Sequence, residues 1–245
     1  MEEGGGNFYV IALVLSGVSM HIASTTSQFI LIGSALSGAL IFGKAKTMSW
    51  PLVFFFGGIN AVMAFIGGYY AHLFSGNTLQ IVLAFILGIA GIIMLLPEKQ
   101  GNKSPNKHFG FWNVVDGNEL YVINLWIALP LTMATGFFAG MVGISGGAFL
   151  VPLMVVGSGV PMRTAVGTAT AMLLATALTG FVGNALHGGF DPALAIPCGL
   201  VAIVGGIIGG KLALKSKPKQ LKTISGLITI VAAVIMLLNA LSIKI

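Results

Sequence analysis

"GMVGISGGAFLVPLMVVGSGVPMRTAVGTATAM" runs from Gly140 to Met172. It is almost wholly apolar, yet it holds seven glycines, two prolines and the only arginine of the chain, Arg163. A segment this apolar belongs in lipid, where every backbone polar group has to be satisfied internally and a continuous helix is the usual solution. Gly146-Gly147 and Pro152 work against that continuity. The stretch therefore predicts a helix that stops and restarts inside a bilayer.

The remainder of the chain agrees with a membrane setting. Of its 245 residues 56% are hydrophobic and only 7% charged, with a mean hydropathy of +1.00, whereas a soluble domain is about 25% charged. The apolar runs are too many and too long for a single signal peptide. Strand-like alternation over about 10 residues is absent, which disfavours an outer-membrane barrel. The net charge of +6 reads as lysines that orient loops rather than as a nucleic-acid surface. One cysteine, Cys198, excludes an intrachain disulfide and a multi-cysteine metal site. No cofactor or metal is implied.

Apolar stretches near 20 residues mark spans. They fall over 21–43, 49–74, 77–97, 123–144, 163–186, 191–215 and 220–243, with short segments over 7–17 and 146–157. The predicted fold is an all-α polytopic membrane protein. A first transmembrane repeat covers 1–97, a polar, solvent-exposed linker 98–122, and a second repeat 123–245.

The repeat is visible at a constant shift of 142 positions. Gly4-Gly5 falls on Gly146-Gly147, "SGVSMHIASTT" from Ser16 on "SGVPMRTAVGT" from Ser158, and "SALSG" from Ser34 on "TALTG" from Thr176. The second copy has a helix before its Gly-Gly, near 123–144. The first copy has none, so either the chain starts inside the repeat or a leading helix is missing.

Basic residues orient the copies. Lys44 and Lys46 follow the span ending near Gly43, while the matching loop of the second copy, His187 to Asp191, has no Lys or Arg. Conversely, Ser75-Gly76-Asn77 carries no Lys or Arg, while its counterpart region holds Lys215, Lys217, Lys219 and Lys222. With basic loops cytoplasmic, the copies have inverted topology. The segment 123–157 then enters and leaves on one side, turning near Gly146 as a hairpin or re-entrant pair.

Inverted repeats with interrupted helices are the build of secondary transporters. A helix that starts inside the membrane exposes N–H groups and the positive end of its dipole, which attract an anion. Ser145, Gly146 and Gly147 therefore read as an anion cradle, with Gly5 and Gly6 as the first-copy counterpart. A polar cluster follows each short segment: Thr25, Thr26, Ser27 and Gln28 in the first copy, Thr168 and Thr170 in the second. Hydroxyls and amides can donate to anion oxygens without a full countercharge. The competing readings are close helix packing for the glycines and back-bonding to helix carbonyls for the hydroxyls.

These residues resemble the sulfite exporter TauE/SafE family of prokaryotic anion transporters. The match is "GxxGxSGGxxLVPxM…G" over Gly140 to Gly157 and "AxGTA" from Ala165, with a looser copy over Gly4 to Phe29. The resemblance spans essentially the whole chain. It implies transport of a small sulfur-containing anion, such as sulfite, thiosulfate or an organosulfonate, across the plasma membrane, with the proton gradient as a driving force. The departures are the absent leading helix and Val10 where the second copy has Pro152.

Four further residues are candidates for gating or proton coupling: Arg163, its repeat counterpart His21, His187 and Lys211. Each has a bland alternative as an interfacial side chain. His72 flanks a helix end in the same way, and Asn60 and Asn184 read as interhelical hydrogen-bond partners. Every acidic residue (Glu2, Glu3, Glu98, Asp116, Glu119, Asp191) lies outside the expected spans or, for Asp191, at the first position of one, which disfavours a cation carrier. The expected localisation is the prokaryotic inner membrane, and a homodimer is admitted. An intramembrane enzyme such as a lipid phosphatase and a passive anion channel are the competing functions. The first lacks an evident nucleophile with a positioned acid or base.

Overall fold

The structure is a computed structural model that describes residues 2–96, 109–116, 119–144, 146–187, 189–216 and 218–242. Its helices, in chain order, begin with α1 (Glu2–Leu15) and α2 (Met20–Lys44). Next, α3 (Trp50–Leu52) passes through a π-helical turn, Val53–Gly57, into α4 (Gly58–Tyr70) and a 3-10 turn, Ala71–Leu73. Then come α5 (Gly76–Leu95), α6 (Leu125–Val142), and α7 (Gly147–Pro152), which continues as a π-helical turn, Leu153–Gly157. The last three are α8 (Met162–Ala185), α9 (Pro192–Lys215) and α10 (Pro218–Ser242). Both π turns begin within two residues of a proline, Pro51 or Pro152. Proline removes one amide from the ladder, and the turn beside it widens.

Among the described residues seven helices are long and apolar enough to cross a membrane, at mean hydropathies from 1.5 to 2.5. Large apolar side chains such as Phe54, Phe85, Leu200, Val201 and Leu238 are more than half exposed. In water that would be a liability; in a bilayer they meet lipid chains.

The shift of 142 residues seen in sequence also relates the elements: α8, α9 and α10 begin 142 residues after α2, α3 and α5. Packing exchanges in the same way. Gly33 of α2 lies against Gly199 and Ile203 of α9, and Ile41 against Gly210, so α2 and α9 run parallel. The exchanged pair, α4 and α8, is also parallel, with Gly57 against Met172 and Gly68 against Gly180 and Asn184. By contrast, α5 and its counterpart α10 run antiparallel, Gly88 facing Ala233 and Gly226 facing Leu95. The α2 and α8 pair is antiparallel too: Gln28 meets Gly180, while Thr47, just past α2, meets Gly167.

Glycine sets how closely α4 and α6 approach. A Cβ on Gly67 would overlap the carbonyl oxygen of Phe137, and one on Gly140 the carbonyl oxygen of Ala64. Small residues at such crossings let two backbones touch, the main source of helix association where lipid supplies no hydrophobic drive.

One end of the bundle collects Lys44, Lys46, Arg163 and Lys215 at helix termini. There Thr168 Oγ1 accepts from the Ser49 N–H at 2.9 Å. Between α5 and α6 the structure departs from the expected solvent-exposed linker. β1 (Phe111–Asp116) and β2 (Glu119–Asn124) form an antiparallel hairpin, with Val114 opposite Tyr121. Val114, Tyr121 and Ile123 are buried in a cluster with Phe42, Met48, Leu52 and Met154. Tyr121 and Ile123 face inward on the two-residue period of a strand, so the hairpin seals this end of the core. Helix α6 consequently starts at Leu125 rather than 123, capped by the Asn124 side chain, which accepts from the Trp126 N–H at 3.1 Å.

Candidate functional site

The expected interruption lies between α6 and α7. Helix α6 ends at Val142, and Gly143 adopts a left-handed conformation with φ +78°. A side chain there would be strained, and a Cβ would overlap the Ser24 backbone, so only glycine fits. The chain then turns back, and α7 starts at Gly147 with Gly146 as N-cap. Gly146 sits against Asn60, whose Nδ2 would lie 2.7 Å from a Cβ at that position. Asn60 is fully buried about half-way along the Trp50–Leu73 span, so α7 begins deep in the membrane.

The two sides of the break are treated unequally. At the C-terminal end of α6, the Ala139 carbonyl accepts from the N–H groups of Gly143 (3.0 Å) and Ile144 (3.1 Å). The Gly140 carbonyl accepts from Gln28 Nε2 at 3.0 Å and from Asn184 Nδ2 at 2.7 Å. Ser27 Oγ donates to the Gly143 carbonyl at 2.6 Å. Asn184 Nδ2 also reaches Gln28 Oε1 at 3.2 Å, joining α2 and α8 over the end of α6. Donors from two other helices thus neutralise the negative end of α6. At the amino end of α7, by contrast, the N-cap is a glycine, and among the described residues no side chain caps it. The first amides of a helix have no intrahelical partner.

Asn60 donates to Thr176 Oγ1 at 2.7 Å and accepts from Thr135 Oγ1 at 3.4 Å. These residues, all buried, form a polar layer on α4, α6 and α8 beside the start of α7.

The named candidates separate into three places. Gly146 and Gly147 are buried at the break, with Ser27 and Gln28 capping α6 next to them. Ser145 lies outside the described residues. Gly5 and Gly6 fall within the first two turns of α1, which starts at Glu2 rather than after the glycines. The second place is the lysine-bearing end. Arg163 and Lys211 are exposed there, and Arg163 Nη2 donates to the Ser216 carbonyl at 3.3 Å, the C-cap of α9. Thr168 also belongs to this end, and Thr170 bonds back to the Val166 carbonyl at 2.9 Å.

The third place is the opposite end, where a cavity of about 240 Å³ is lined by His21, Thr25, Gly68, His72, Asn184, His187 and Gly189. The His72 and His187 rings stack there, centroids 3.8 Å apart and planes 16° from parallel. Thr25 lines the cavity while its hydroxyl donates to the His21 carbonyl at 3.1 Å. Thr26 is buried, and its hydroxyl has no hydrogen-bond partner among the described residues.

Asn60 and His72 complete these groups without having been singled out as site residues. An Asn in the middle of an apolar span was the available signal for the first. For His72 the available signal was its place at a helix end, shared with His187; the stacking of the two is invisible in sequence because they lie far apart.

Comparison with known proteins bears on the whole chain. The family model described as sulfite exporter TauE/SafE matches residues 3–236. A "Probable membrane transporter protein YunE" from Bacillus subtilis (strain 168) is 28% identical over 233 residues, covering 92% of this chain and 82% of that protein. A "Probable membrane transporter protein" from Xylella fastidiosa (strain 9a5c) is 22% identical over 236 residues, covering 94% of this chain and 86% of that protein. No solved structure matches the chain.

Proposed function

The chain belongs to the sulfite exporter TauE/SafE family, and from that premise we propose that it is a secondary carrier moving a small sulfur-containing anion by alternating access. The cargo class is sulfite, thiosulfate or an organosulfonate. The setting is a multi-pass protein of the prokaryotic inner membrane, in keeping with its seven apolar helices and its bacterial relatives.

The observation that carries the proposal is the unequal treatment of the break. The carbonyl end of α6 is answered by protein donors, while the amino end of α7 has a glycine as its N-cap and, among the described residues, no side-chain cap. Exposed N–H groups at a buried helix start favour negative charge. Gly146 and Gly147 let an anion oxygen come close to the backbone. The buried amide of Asn60 supplies a polar neighbour.

We read the two halves as inverted-topology repeats. The antiparallel course of α5 against α10, and of α2 against α8, supports that reading. In such a build one bundle rocks against the other around the break.

The test is a thermal-shift panel on the purified protein with thiosulfate, sulfite and isethionate. Wild-type protein should be stabilised by at least one of them. Gly146→Val should remove that stabilisation while the variant still inserts in the membrane. Retained stabilisation in the variant would remove the cradle, and a flat wild-type panel would remove the cargo class.

A further inference from the structure

The cavity at the histidine end shares Asn184 with the cap on α6, and the break does not account for its imidazoles. Three imidazoles from separate elements meet around it: His21 in the first turn of α2, His72 at the end of the α4 span, and His187 just past α8. Among the described residues no group of three His, Cys, Asp or Glu is placed to hold a metal ion.

We infer that this cavity is a second, outer binding site for a small oxyanion, and that the stacked His72–His187 pair binds a proton together with that anion. The inference rests on the carrier reading for its cargo class but on different residues.

The geometry of the pair fixes its chemistry. His72 Nδ1 lies 2.8 Å from the Tyr69 carbonyl oxygen. A carbonyl only accepts, so Nδ1 carries the hydrogen, and in the neutral ring the lone pair is on Nε2. A proton arriving there turns the ring into a cation with a second donor. The His187 ring, 3.8 Å away and nearly parallel, opposes a second positive charge. An anion in the cavity stabilises the protonated pair, and the protonated pair holds the anion. Proton and anion are thus linked, each raising the affinity of the other by the same factor.

The surroundings favour negative charge, and the one nearby carboxylate among the described residues, Asp191, is engaged by backbone donors. The third imidazole, His21, adds a neutral or positive group. Helix α2 points its amino end here, and Ser19 gives that end no side-chain cap. A Cβ added at Gly189 would lie 3.9 Å from the His21 backbone and the Ile22 nitrogen, so this loop packs beside the first turn. The remaining titratable groups nearby are Tyr69, Tyr70 and Asp191. The Tyr69 ring stands edge-on to His187 at 4.6 Å. The Asp191 carboxylate is engaged at the start of α9, accepting from the Ala193 and Leu194 N–H groups at 3.0 and 3.4 Å.

Asn184 ties this cavity to the break. It lines the cavity and also donates to the Gly140 carbonyl and to Gln28. The cap on α6 therefore borders the outer site through Asn184.

The experiment is isothermal titration of the purified full chain with thiosulfate, which stays a dianion throughout, and with methanesulfonate, between pH 5.5 and 8.5. Each is run in two buffers of different ionisation enthalpy. Wild-type protein should take up a fraction of a proton per anion bound. On the alkaline side its Kd should tighten by up to about tenfold per unit fall in pH. His72→Gln and His187→Gln should each flatten that slope. Binding without proton uptake at any pH overturns the inference and leaves the carrier reading standing. An unchanged slope in folded variants also overturns it. If neither anion binds and none of the sulfur anions stabilises the protein, both readings fall. Because proton uptake is read on wild-type protein, a variant that fails to fold does not rescue the idea.

Discussion

The contact between Gly146 and Asn60 is a packing prediction that can be worked from the structure. In Gly146→Ala the new Cβ would lie 2.7 Å from Asn60 Nδ2. An ordinary contact is about 3.4–4 Å, so the amide or the start of α7 has to give by at least about 0.7 Å. Asn60 has little freedom: its Nδ2 donates to Thr176 Oγ1 at 2.7 Å, and its backbone is pressed against Gly136 of α6. Yielding breaks or lengthens that hydrogen bond inside a close-packed layer. Overpacking of this kind costs about 1–3 kcal/mol, and a broken buried hydrogen bond falls in the same range. Asn60→Ala removes the obstacle and is cheaper than it looks, because Thr176 and Thr135 keep bonds to the Met172 and Thr132 carbonyls, both at 2.9 Å. Gly146→Ala in the Asn60→Ala background should then cost almost nothing. The double-mutant cycle should give a coupling energy of about 1–3 kcal/mol. The assay is the thermal midpoint in detergent, where about 2–4 °C corresponds to each kcal/mol for a chain of this size. Two additive single effects would refute the placement of Asn60 against the start of α7.

Two other outcomes follow from the same structure. Gly205 lies in α9, and a Cβ added there would meet nothing within 4 Å, so Gly205→Ala should raise the midpoint, by about 0.5–1 kcal/mol in stability; a fall would mean that another surface covers this face. Burial raises the Tyr121 phenol above its ordinary value of 10.0, with Asp116 and Glu119 adding to the shift. The unfolded phenol ionises first, so this contribution to stability is full below about pH 10 and is lost as pH rises further. Tyr121→Phe should remove that alkaline loss from a stability–pH profile.

Much of the frame was readable in sequence because hydropathy responds to the bilayer and not to tertiary detail. The expected spans 21–43, 163–186 and 191–215 differ by one residue at each bound, or less, from α2, α8 and α9. The shift of 142 positions seen in the sequence also separates the starts of α2, α3 and α5 from those of α8, α9 and α10. The hairpin was missed although its signals were present: an Asp116-Gly117 turn between "FWNVV" and "ELYVI". The surrounding Lys, Asn and Pro made the whole segment read as linker.

The site was legible in part. Helix α7 starts at Gly147 with Gly146 as its N-cap, but the contacts around that start depend on pairs distant in sequence. Ser27 and Gln28 were expected to face an anion; their hydrogen bonds instead go to carbonyls at the end of α6. Composition cannot distinguish a donor for a ligand from a donor for an orphaned carbonyl, since both need the same atoms in the same apolar setting. Arg163 illustrates the same ambiguity: its guanidinium answers the end of α9. The histidine cavity was less legible still, because it is assembled from the ends of helices whose adjacency only the fold determines.

The central claim is that this chain carries an anion by exposing one buried site alternately to either side. Counterflow tests it most directly. Proteoliposomes loaded with unlabelled thiosulfate are diluted into a trace of labelled thiosulfate. A carrier predicts a transient overshoot of label inside, absent in Gly146→Val vesicles. Label that only equilibrates, without overshoot, while entering through wild-type protein would identify a pore and contradict the account.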